Sequence, residues 1–221
     1  MIFKSLNIKS AVRFSALLSA VYLLLTTLAT AQQAPELMVT WKSDNYAPSA
    51  YQGKILPIDG SKVEVALELI DGSKIANISG KQINWLINND ELKSGIGLKN
   101  ISFVASGRHG DQVVEITIKN YKGADLEKRL EIPLASPELI ITGGPSIFEA
   151  TPYFFNVKNI GELLISWSAN SQPATGLVDN PAILELDTSS LSAGSEVVIK
   201  ATARNSKKAT EGASKTIIFR K

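Results

Sequence analysis

Apolar and polar residues alternate with a period of two along most of the chain beyond residue 32. In the run 63–69, valine or leucine occupies every second position, and the residues between them include Glu64 and Glu68. Runs of the same kind cover residues 83–87, 101–105, 114–119 and 126–132. Alternation of this kind predicts β-strands with one buried face. No segment beyond residue 32 keeps a 3.6-residue period for more than two turns, so no substantial helix is predicted.

Turn-forming residues separate these runs. They are Asp59-Gly60, Asp71-Gly72, Asn88-Asn89-Asp90, residues 107–110 and Lys122-Gly123. Glycine, asparagine and aspartate are favoured in hairpin turns because they tolerate a positive φ. Short strands separated by turns roughly every 8 to 12 residues predict an antiparallel β-sandwich.

The strand pattern occurs twice. Residues 83–88 align with 165–170 at an offset of 82, residues 110–114 align with 194–198 at an offset of 84, and Asn120 aligns with Asn205 at an offset of 85. Three matches in the same order at a nearly constant offset predict an internal duplication. Each copy has a tryptophan on a central strand, and we expect these residues, Trp85 and Trp167, to lie in the core.

The repeated motif has the form Ile-x-Trp-x-x-Asn, followed in the first copy by Gly-x-x-Val-Val-x-Ile-x-Ile-x-Asn. It resembles the bacterial cysteine-free immunoglobulin-like and PKD-like modules, in which aliphatic residues replace the inter-sheet disulfide. The resemblance covers residues 63–132 and 154–219, although the Trp-Asp-Phe-Gly-Asp-Gly signature of PKD domains is absent. It implies an all-β chain of two tandem immunoglobulin-like antiparallel sandwiches, which would follow the N-terminal signal helix predicted below from residues 1–31. The proline-containing segment 133–137 predicts a short, stiff connector, with domains at 32–135 and 136–221.

A second resemblance lies just beyond residue 40. The segment 41–61 contains the motif Trp-x-x-Asp-x-Tyr-x-Pro-x-x-Tyr-x-Gly-Lys, and Ser94-Gly95-Ile96-Gly97 follows later. This combination is similar to the opening of uncharacterised exported proteins from small-genome candidate-phylum bacteria. The resemblance implies a surface-associated immunoglobulin-like protein and no catalytic activity.

The first 31 residues have the composition of a secretory signal peptide. Three basic residues, Lys4, Lys9 and Arg13, precede an uncharged apolar run that ends in Ala29-Thr30-Ala31. Small residues at this position are typical of a cleavage site. The alternative is an uncleaved anchor, because the run 14–31 is close to the minimum length of about 17 residues for a spanning helix. We expect cleavage after Ala31 and export to the periplasm, the cell surface or the extracellular space.

Composition excludes several classes of function. The whole chain has a formal charge of +2, and without residues 1–31 it has 20 basic and 21 acidic side chains. There is no cluster of basic residues of the kind that nucleic-acid binding requires, so no nucleic-acid partner is expected. The chain has no cysteine, which excludes disulfides, thiolate metal sites and cysteine nucleophiles. Export without cysteine favours a bacterial envelope over an animal extracellular space.

Catalytic chemistry is poorly represented. The single histidine, His109, lies two residues before Asp111 in a polar turn, and no nucleophile motif accompanies it. We expect a solvated turn histidine there, no catalytic residue and no enzymatic activity. One histidine without thiolates does not make a zinc site. The acidic and amide residues of the turns do not follow a calcium-loop spacing, so neither a metal nor another cofactor is predicted.

The best candidate for binding is a polar, aromatic segment near the mature N-terminus. Trp41, Tyr46 and Tyr51 follow one another at intervals of five residues, with Lys54 nearby. Exposed aromatic side chains stack on sugars or anchor protein partners. The alternative is that these rings cover one end of the first sandwich.

Together these features predict an exported, non-enzymatic structural or binding module of adhesion type, associated with pili or the cell surface. The expected partner is a protein or glycan at that surface, with membrane contact only through an uncleaved signal helix. The alternative is a periplasmic pilus-chaperone-like protein that donates a strand, and the alternating Leu126, Leu130 and Ile132 could form its donor row.

Overall fold

The structure is a computed structural model that describes residues 34–221. The predicted signal peptide, residues 1–31, lies outside the described residues. The described chain consists of fifteen β-strands and two single-turn 3-10 helices, and all strand pairs are antiparallel. The strands form two tandem immunoglobulin-like sandwiches, which confirms the predicted all-β fold for these residues.

The first sandwich contains strands β1 to β8 in two facing sheets. Their bounds are β1 (Glu36–Ser43), β2 (Lys62–Asp71), β3 (Lys74–Ile75), β4 (Gln82–Ile87), β5 (Asp90–Ile96), β6 (Asn100–Val104), β7 (Gln112–Tyr121) and β8 (Ala124–Ile132). In one sheet, β2 pairs with β1 along one edge and with β6 and β3 along the other. The other sheet has the order β5-β4-β7-β8. A 3-10 helix, Gly107–His109, joins β6 to β7.

The second sandwich repeats this plan with one strand fewer. Its strands are β9 (Glu138–Gly143), β10 (Ile147–Tyr153), β11 (Leu163–Ala169), β12 (Gln172–Ala174), β13 (Ile183–Glu185), β14 (Glu196–Asn205) and β15 (Gly212–Arg220). The two sheets have the orders β13-β10-β9 and β12-β11-β14-β15. A 3-10 helix, Ile160–Glu162, precedes β11. Strand for strand, β4 corresponds to β11, β7 to β14 and β8 to β15.

The alternating sequence pattern explains the two cores, because every second residue of a strand faces the opposite sheet. Along β2, the four apolar residues from Val63 to Leu69 are essentially inaccessible to solvent. The tryptophans lie on the central strands as predicted, with Trp85 fully buried and Trp167 4% exposed. Each indole Nε1 donates a hydrogen bond of 2.9 Å to a backbone carbonyl, that of Leu98 in the first sandwich and that of Pro181 in the second.

Strand pairing corrects one detail of the predicted internal alignment. Trp85 lies opposite Ile116 on β7, and Trp167 lies opposite Ala201 on β14, so these strands are equivalent at an offset of 85. The predicted offset of 84 for residues 110–114 is therefore wrong by one residue. The reason is alternation: a shift of one residue would turn the buried face of β14 towards solvent.

The two sandwiches meet end to end. At the pole where β8 ends, the first sandwich presents the long loop 44–61 and the loop 105–111. At the pole where β9 begins, the second presents the loops 154–162 and 206–211. The predicted limits 32–135 and 136–221 stay a prediction, since loop 44–61 contacts both sandwiches.

Two backbone N–H groups hold the connector between the sandwiches against the first one. Leu134 N donates to the Asp111 carboxylate over 3.0 Å, and Ala135 N donates to the Pro57 carbonyl over 2.8 Å. These bonds attach the connector both to the start of β7 and to loop 44–61.

Candidate functional site

Tyr46, one of the predicted binding residues, lies against the second sandwich. Its backbone N donates to the Phe155 carbonyl and its carbonyl accepts from Phe154 N, each over 2.7 Å. Its side chain packs against the second hydrophobic core. Burial, and secondarily the nearby Tyr153, raise the pKa of the Tyr46 phenol. Tyr46 therefore joins the two sandwiches through both its backbone and its ring.

Tyr51 also faces the second sandwich. Its ring meets Tyr153 and Phe154 in edge-to-face contacts with centroid distances of 5.6 and 5.7 Å. Edge-to-face packing is favourable because the positive edge of one ring meets the negative face of another. Gly53 lies so close to the Tyr51 ring that a Cβ at this position would collide with the phenol. A larger residue at position 53 would therefore require the Tyr51 ring to shift.

Trp41 and Lys54 form a separate pair on the first sandwich. Trp41 is half-buried on β1 and packs against the first core. The Lys54 ammonium nitrogen lies 4.0 Å from the centroid of the Trp41 ring, which is a cation–π geometry. The Tyr51 hydroxyl donates to the Lys54 carbonyl over 3.3 Å. The four predicted residues thus divide into two groups, Tyr46 and Tyr51 against the second sandwich and Trp41 with Lys54 on the first, and they do not form a single exposed aromatic platform.

Trp41 borders an open depression of about 670 Å³ on the first sandwich. Its lining includes Trp41, Lys42, Glu64, Lys93, Asn100 and Ser102. The Lys62 and Lys42 ammonium groups lie 2.8 and 2.9 Å from the Glu64 carboxylate and lower its pKa to about 2. The depression therefore combines an aromatic ring, fixed charges of both signs, and amide and hydroxyl groups.

A buried polar network centred on Asn156 connects the two sandwiches. The Asn156 carbonyl oxygen Oδ1 accepts from Asn45 Nδ2 over 3.0 Å and from Ser61 Oγ over 2.8 Å. The amide nitrogen Nδ2 donates to the Asp59 carbonyl over 3.1 Å and to Glu211 Oε2 over 3.0 Å. One side chain therefore contacts three residues of the first sandwich and one of the second.

Three of the four partners of Asn156 are themselves deeply buried. Ser61 is 1% exposed, Asn45 5% and Glu211 4%. The Glu211 carboxylate also accepts from Asn156 N over 2.6 Å and from Asn205 Nδ2 over 3.2 Å. Burial of polar groups is favourable only when they are hydrogen-bonded, as they are here. Sequence reasoning missed these residues because asparagine, serine and glutamate in loops are ordinarily exposed; only their tertiary contacts distinguish them.

Two exposed ion pairs flank this network. Lys158 Nζ lies 2.8 Å from the Asp44 carboxylate, and Lys208 Nζ lies 3.4 Å from that of Asp59. Gly107 N donates to Asp59 Oδ1 over 2.8 Å. This backbone hydrogen bond, followed by the Lys208 ammonium, lowers the pKa of the Asp59 carboxyl. We call the contacts between loop 44–61 and the loops 154–162 and 206–211 the joint.

The remaining candidate from the sequence, the single histidine, lies at the surface of the first sandwich. His109 is exposed in the first 3-10 helix and borders a small depression with Asp111 and Arg129. Within residues 34–221, no three histidine, aspartate or glutamate side chains lie together as metal ligands would. No helix formed by these residues has the length and apolar character needed to cross a membrane.

The predicted donor row on β8 belongs to the first core. Ile132 is fully buried, and Leu126 and Leu130 pack against the same core. A strand donated to another protein must present such a row to its partner. The geometry of β8 therefore does not favour strand donation.

No family model and no curated protein matches the chain. The N-terminal resemblance to exported candidate-phylum proteins accordingly stays a prediction.

Several solved tandem-domain structures are similar to the chain. The fibronectin(III)-like modules of CbhA from Clostridium thermocellum share 10% identity over 83% of this chain and 93% of theirs, with a TM-score of 0.29. Three N-terminal domains of the outer capsid protein Hoc from bacteriophage RB49 share 12% identity over 85% of this chain, which spans 59% of that structure, with a TM-score of 0.41. The Ig1-2 module of the Drosophila receptor protein tyrosine phosphatase DLAR shares 14% identity over 85% of this chain and 98% of its own length, with a TM-score of 0.27.

Proposed function

We propose that the chain is an exported, non-enzymatic structural and binding module of the bacterial envelope or cell surface, in which a rigid joint holds two sandwiches in a fixed relation. The observation that supports this proposal most strongly is the joint itself. Backbone pairing at Tyr46, the aromatic contacts of Tyr51 and the buried Asn156 network act together there. A flexible tether between two domains would need none of these contacts.

A rigid pair of domains is useful for binding because it fixes where a surface is presented. If the relative orientation of the two sandwiches is already fixed in the free protein, binding does not have to fix it. Less conformational entropy is therefore lost on binding. The depression beside Trp41 is the surface that we assign to this role. Aromatic rings next to hydrogen-bonding groups suit sugars as well as protein side chains, and we propose a protein or glycan of the cell surface as the ligand.

The binding site can be tested by retention of envelope components on the exported, immobilised protein. The wild type is compared with Trp41→Ala, which removes the ring, and with Lys54→Ala, which removes the cation above it. Lys74→Ala is the matched control, because Lys74 is exposed on β3, away from the depression. We expect a specific surface protein or glycan to be retained by the wild type and the control, and to be lost from the Trp41 variant. Equal retention by all variants would exclude the depression as the binding site.

Export can be tested separately on the intact chain. Cell fractionation and N-terminal sequencing should place the protein outside the cytoplasm with Gln32 as its first residue. Recovery of the uncleaved chain in the membrane fraction would instead support the anchor alternative.

A further inference from the structure

The outer face of the sheet β5-β4-β7-β8 in the first sandwich has an excess of acidic side chains. Strand register places five carboxylates on this face: Glu91, Glu115, Asp125, Glu127 and Glu131. Only two cations, Lys119 and Arg129, share it. Lys93 and Lys128 are also exposed at its edges, but they lie opposite Trp85 and Ile116, in register with the inward-facing positions. We call this surface the acidic face.

The cations of the acidic face do not neutralise it. Lys119 pairs with Asp125 over 2.7 Å. Arg129 is shared between Glu115 and Glu131, over 3.5 and 3.3 Å. Glu91 and Glu127 take part in none of the ion pairs formed within residues 34–221. Two carboxylates of this face are therefore left for an external cation.

The equivalent face of the second sandwich, on β12-β11-β14-β15, has the opposite charge. Its basic residues are Lys200, Arg204 and Arg220, and its one acidic residue, Glu196, pairs with Arg220 over 2.7 Å. Lys200 and Arg204 belong to no ion pair in the described chain. We call this surface the basic face.

Between its cations, the basic face is lined by small polar residues. One row across the sheet consists of Ser166, Thr202 and Ser214, and the next contains Ser168, Lys200 and Thr216. Short side chains leave the sheet flat, so that another flat surface can approach closely. Apolar side chains are also exposed there, with Leu164 64% and Ile218 58% exposed. Ile96, 73% exposed at the edge of the acidic face, offers a matching apolar group.

We propose that the acidic face of one copy of this chain docks on the basic face of a second copy. The two faces are equivalent sheets of one duplicated fold, so they match in strand spacing and, except for the shorter edge strand β12, in strand length. Their unpaired charges are opposite, Glu91 and Glu127 on one and Lys200 and Arg204 on the other. Complementary charges of this kind set the partner and the register of an interface. This inference is independent of the binding site at Trp41.

The area of the two faces determines how strongly two copies are expected to associate. Four strands spaced about 4.8 Å apart, over a length of about 20 Å, give a face of roughly 400 Å². A stable interface takes about 800 Å² from each partner. One contact alone is therefore weak, whereas a closed antiparallel dimer uses both faces of each copy and reaches the usual area. If the symmetry does not close, the same contact produces an open chain of copies.

Sedimentation velocity on the exported protein tests this proposal. We expect association to increase with protein concentration at low salt and to decrease at about 1 M salt, where charges are screened beyond about 3 Å. Either a closed dimer or a series of longer chains supports the proposal. A wild type that stays monomeric at all concentrations in low salt overturns it.

Charge reversal then identifies the faces. Lys200→Glu and Glu127→Lys should each weaken self-association by about tenfold or more, because like charges would then face each other. An equimolar mixture of the two variants should associate again, since Glu at position 200 of one copy meets Lys at position 127 of the other. Lys74→Glu is the matched control for Lys200→Glu, because it makes the same change of net charge, and it should associate like the wild type.

The mixture is the decisive experiment. Neither a folding defect nor a general effect of net charge predicts that association is restored when the two variants are mixed. If Lys200→Glu associates as well as the wild type, the basic face is not the interface. If the wild type is monomeric and instead binds dextran sulfate through Lys200, the basic face serves an anionic polysaccharide and the proposal fails.

Discussion

The two sandwiches share one strand plan but fill it with different side chains. Opposite Trp85, the first sandwich has Ile116, whereas the second has Ala201 opposite Trp167. The next inward position likewise changes from Ile118 to Ala203. The second core compensates with aromatic rings, among them Phe148 and Phe219, which meet edge to face at 5.6 Å. The comparison indicates that this strand arrangement requires a core that is filled by apolar side chains, but not a particular set of core residues.

What the two sandwiches keep in common is a small set of polar anchors. Each indole donates to the carbonyl of a residue that lies two positions before the start of a strand. This residue is Leu98 before β6 in the first sandwich and Pro181 before β13 in the second. In both hairpins the first turn residue, Asn88 or Asn170, has a positive φ of 53° or 50°. Its side-chain oxygen accepts from the neighbouring strand, from Val113 N over 2.8 Å or from Val198 N over 2.9 Å. The duplication is therefore preserved best where a backbone group needs a specific partner.

The largest expected effect comes from removing either core tryptophan. Trp85→Ala should destabilise the first sandwich by about 3–5 kcal/mol, because a large buried side chain leaves a cavity that the strands cannot fill. Trp167→Ala should do the same to the second sandwich, towards the lower end of that range because Trp167 retains slight exposure. Calorimetric unfolding should show the affected sandwich melting at lower temperature in a transition of its own.

Phenylalanine variants separate packing from hydrogen bonding in this comparison. Trp85→Phe and Trp167→Phe keep most of the packing but leave the Leu98 or Pro181 carbonyl without its indole donor. We expect each to be less destabilising than the corresponding alanine variant. If the Trp85 and Trp167 variants shifted the same single transition equally, the two cores would not be separate cooperative units.

The fold could be predicted from the sequence because its determinants are local and periodic. The alternation in 63–69 predicts β2 directly, and the Asn88-Asn89 pair predicts the hairpin between β4 and β5. The short strands β12 and β13 carry no such signal, since three residues are too few to show a period. The one-residue error in the internal alignment arises in a loop. The loops before β7 and β14 differ in length, and aligning Gly110 with Gly194 conceals this difference.

The candidate site was predictable only in part. The spacing of Trp41, Tyr46 and Tyr51 led to a prediction of binding that nothing in the structure tests, and it did not predict that the two tyrosines face the second sandwich. That outcome depends on Phe154 and Phe155, about 100 residues further along the chain. Contacts between residues so far apart leave no pattern in a single sequence, and the same holds for Asn156 and Glu211.

An intermediate effect is expected at the joint, and it would show how far the two sandwiches are coupled. Asn156→Ala removes the shared partner of Asn45, Ser61 and Glu211. Leaving a buried polar group unpaired costs about 1–3 kcal/mol, so the variant should lose stability of that order. We expect the loss to appear in calorimetry as a larger difference between the midpoint temperatures of the two unfolding transitions. In small-angle X-ray scattering we expect a larger radius of gyration.

Asn100→Ala provides the matched control for this variant. Asn100 is exposed on β6, and its side chain makes no hydrogen bond in the described structure. The control should leave both the unfolding profile and the scattering curve unchanged. If Asn156→Ala also leaves them unchanged, the buried network does not make the joint rigid, and the proposed function loses its main support.

The smallest expected effect is the pH dependence that Asp59 contributes to the joint. The Gly107 backbone N–H and the Lys208 ammonium lower the pKa of the Asp59 carboxyl, so its ionised form is favoured in the folded protein. Its contribution is therefore complete above the usual aspartate value of 3.8 and is lost as the pH falls through the lower folded value. The effect is small because the Asp59 side chain is 66% exposed and salt screens it.

Acid titration at low salt, followed by calorimetry, would measure this contribution. Asp59→Asn still offers an oxygen to Gly107 N but has no charge for Lys208, so between about pH 5 and pH 2 its joint should weaken less than that of the wild type. Asp179→Asn, at an exposed position of the second sandwich away from the joint, should follow the wild type. An Asp59 variant with the wild-type acid profile would mean that acid acts on other ion-paired carboxylates, such as Glu64, and not on Asp59 at the joint. In that case the exposed ion pair of Asp59 would contribute nothing measurable to the joint. The buried hydrogen bonds of Asn156 and Glu211 would then be sufficient to hold the sandwiches together.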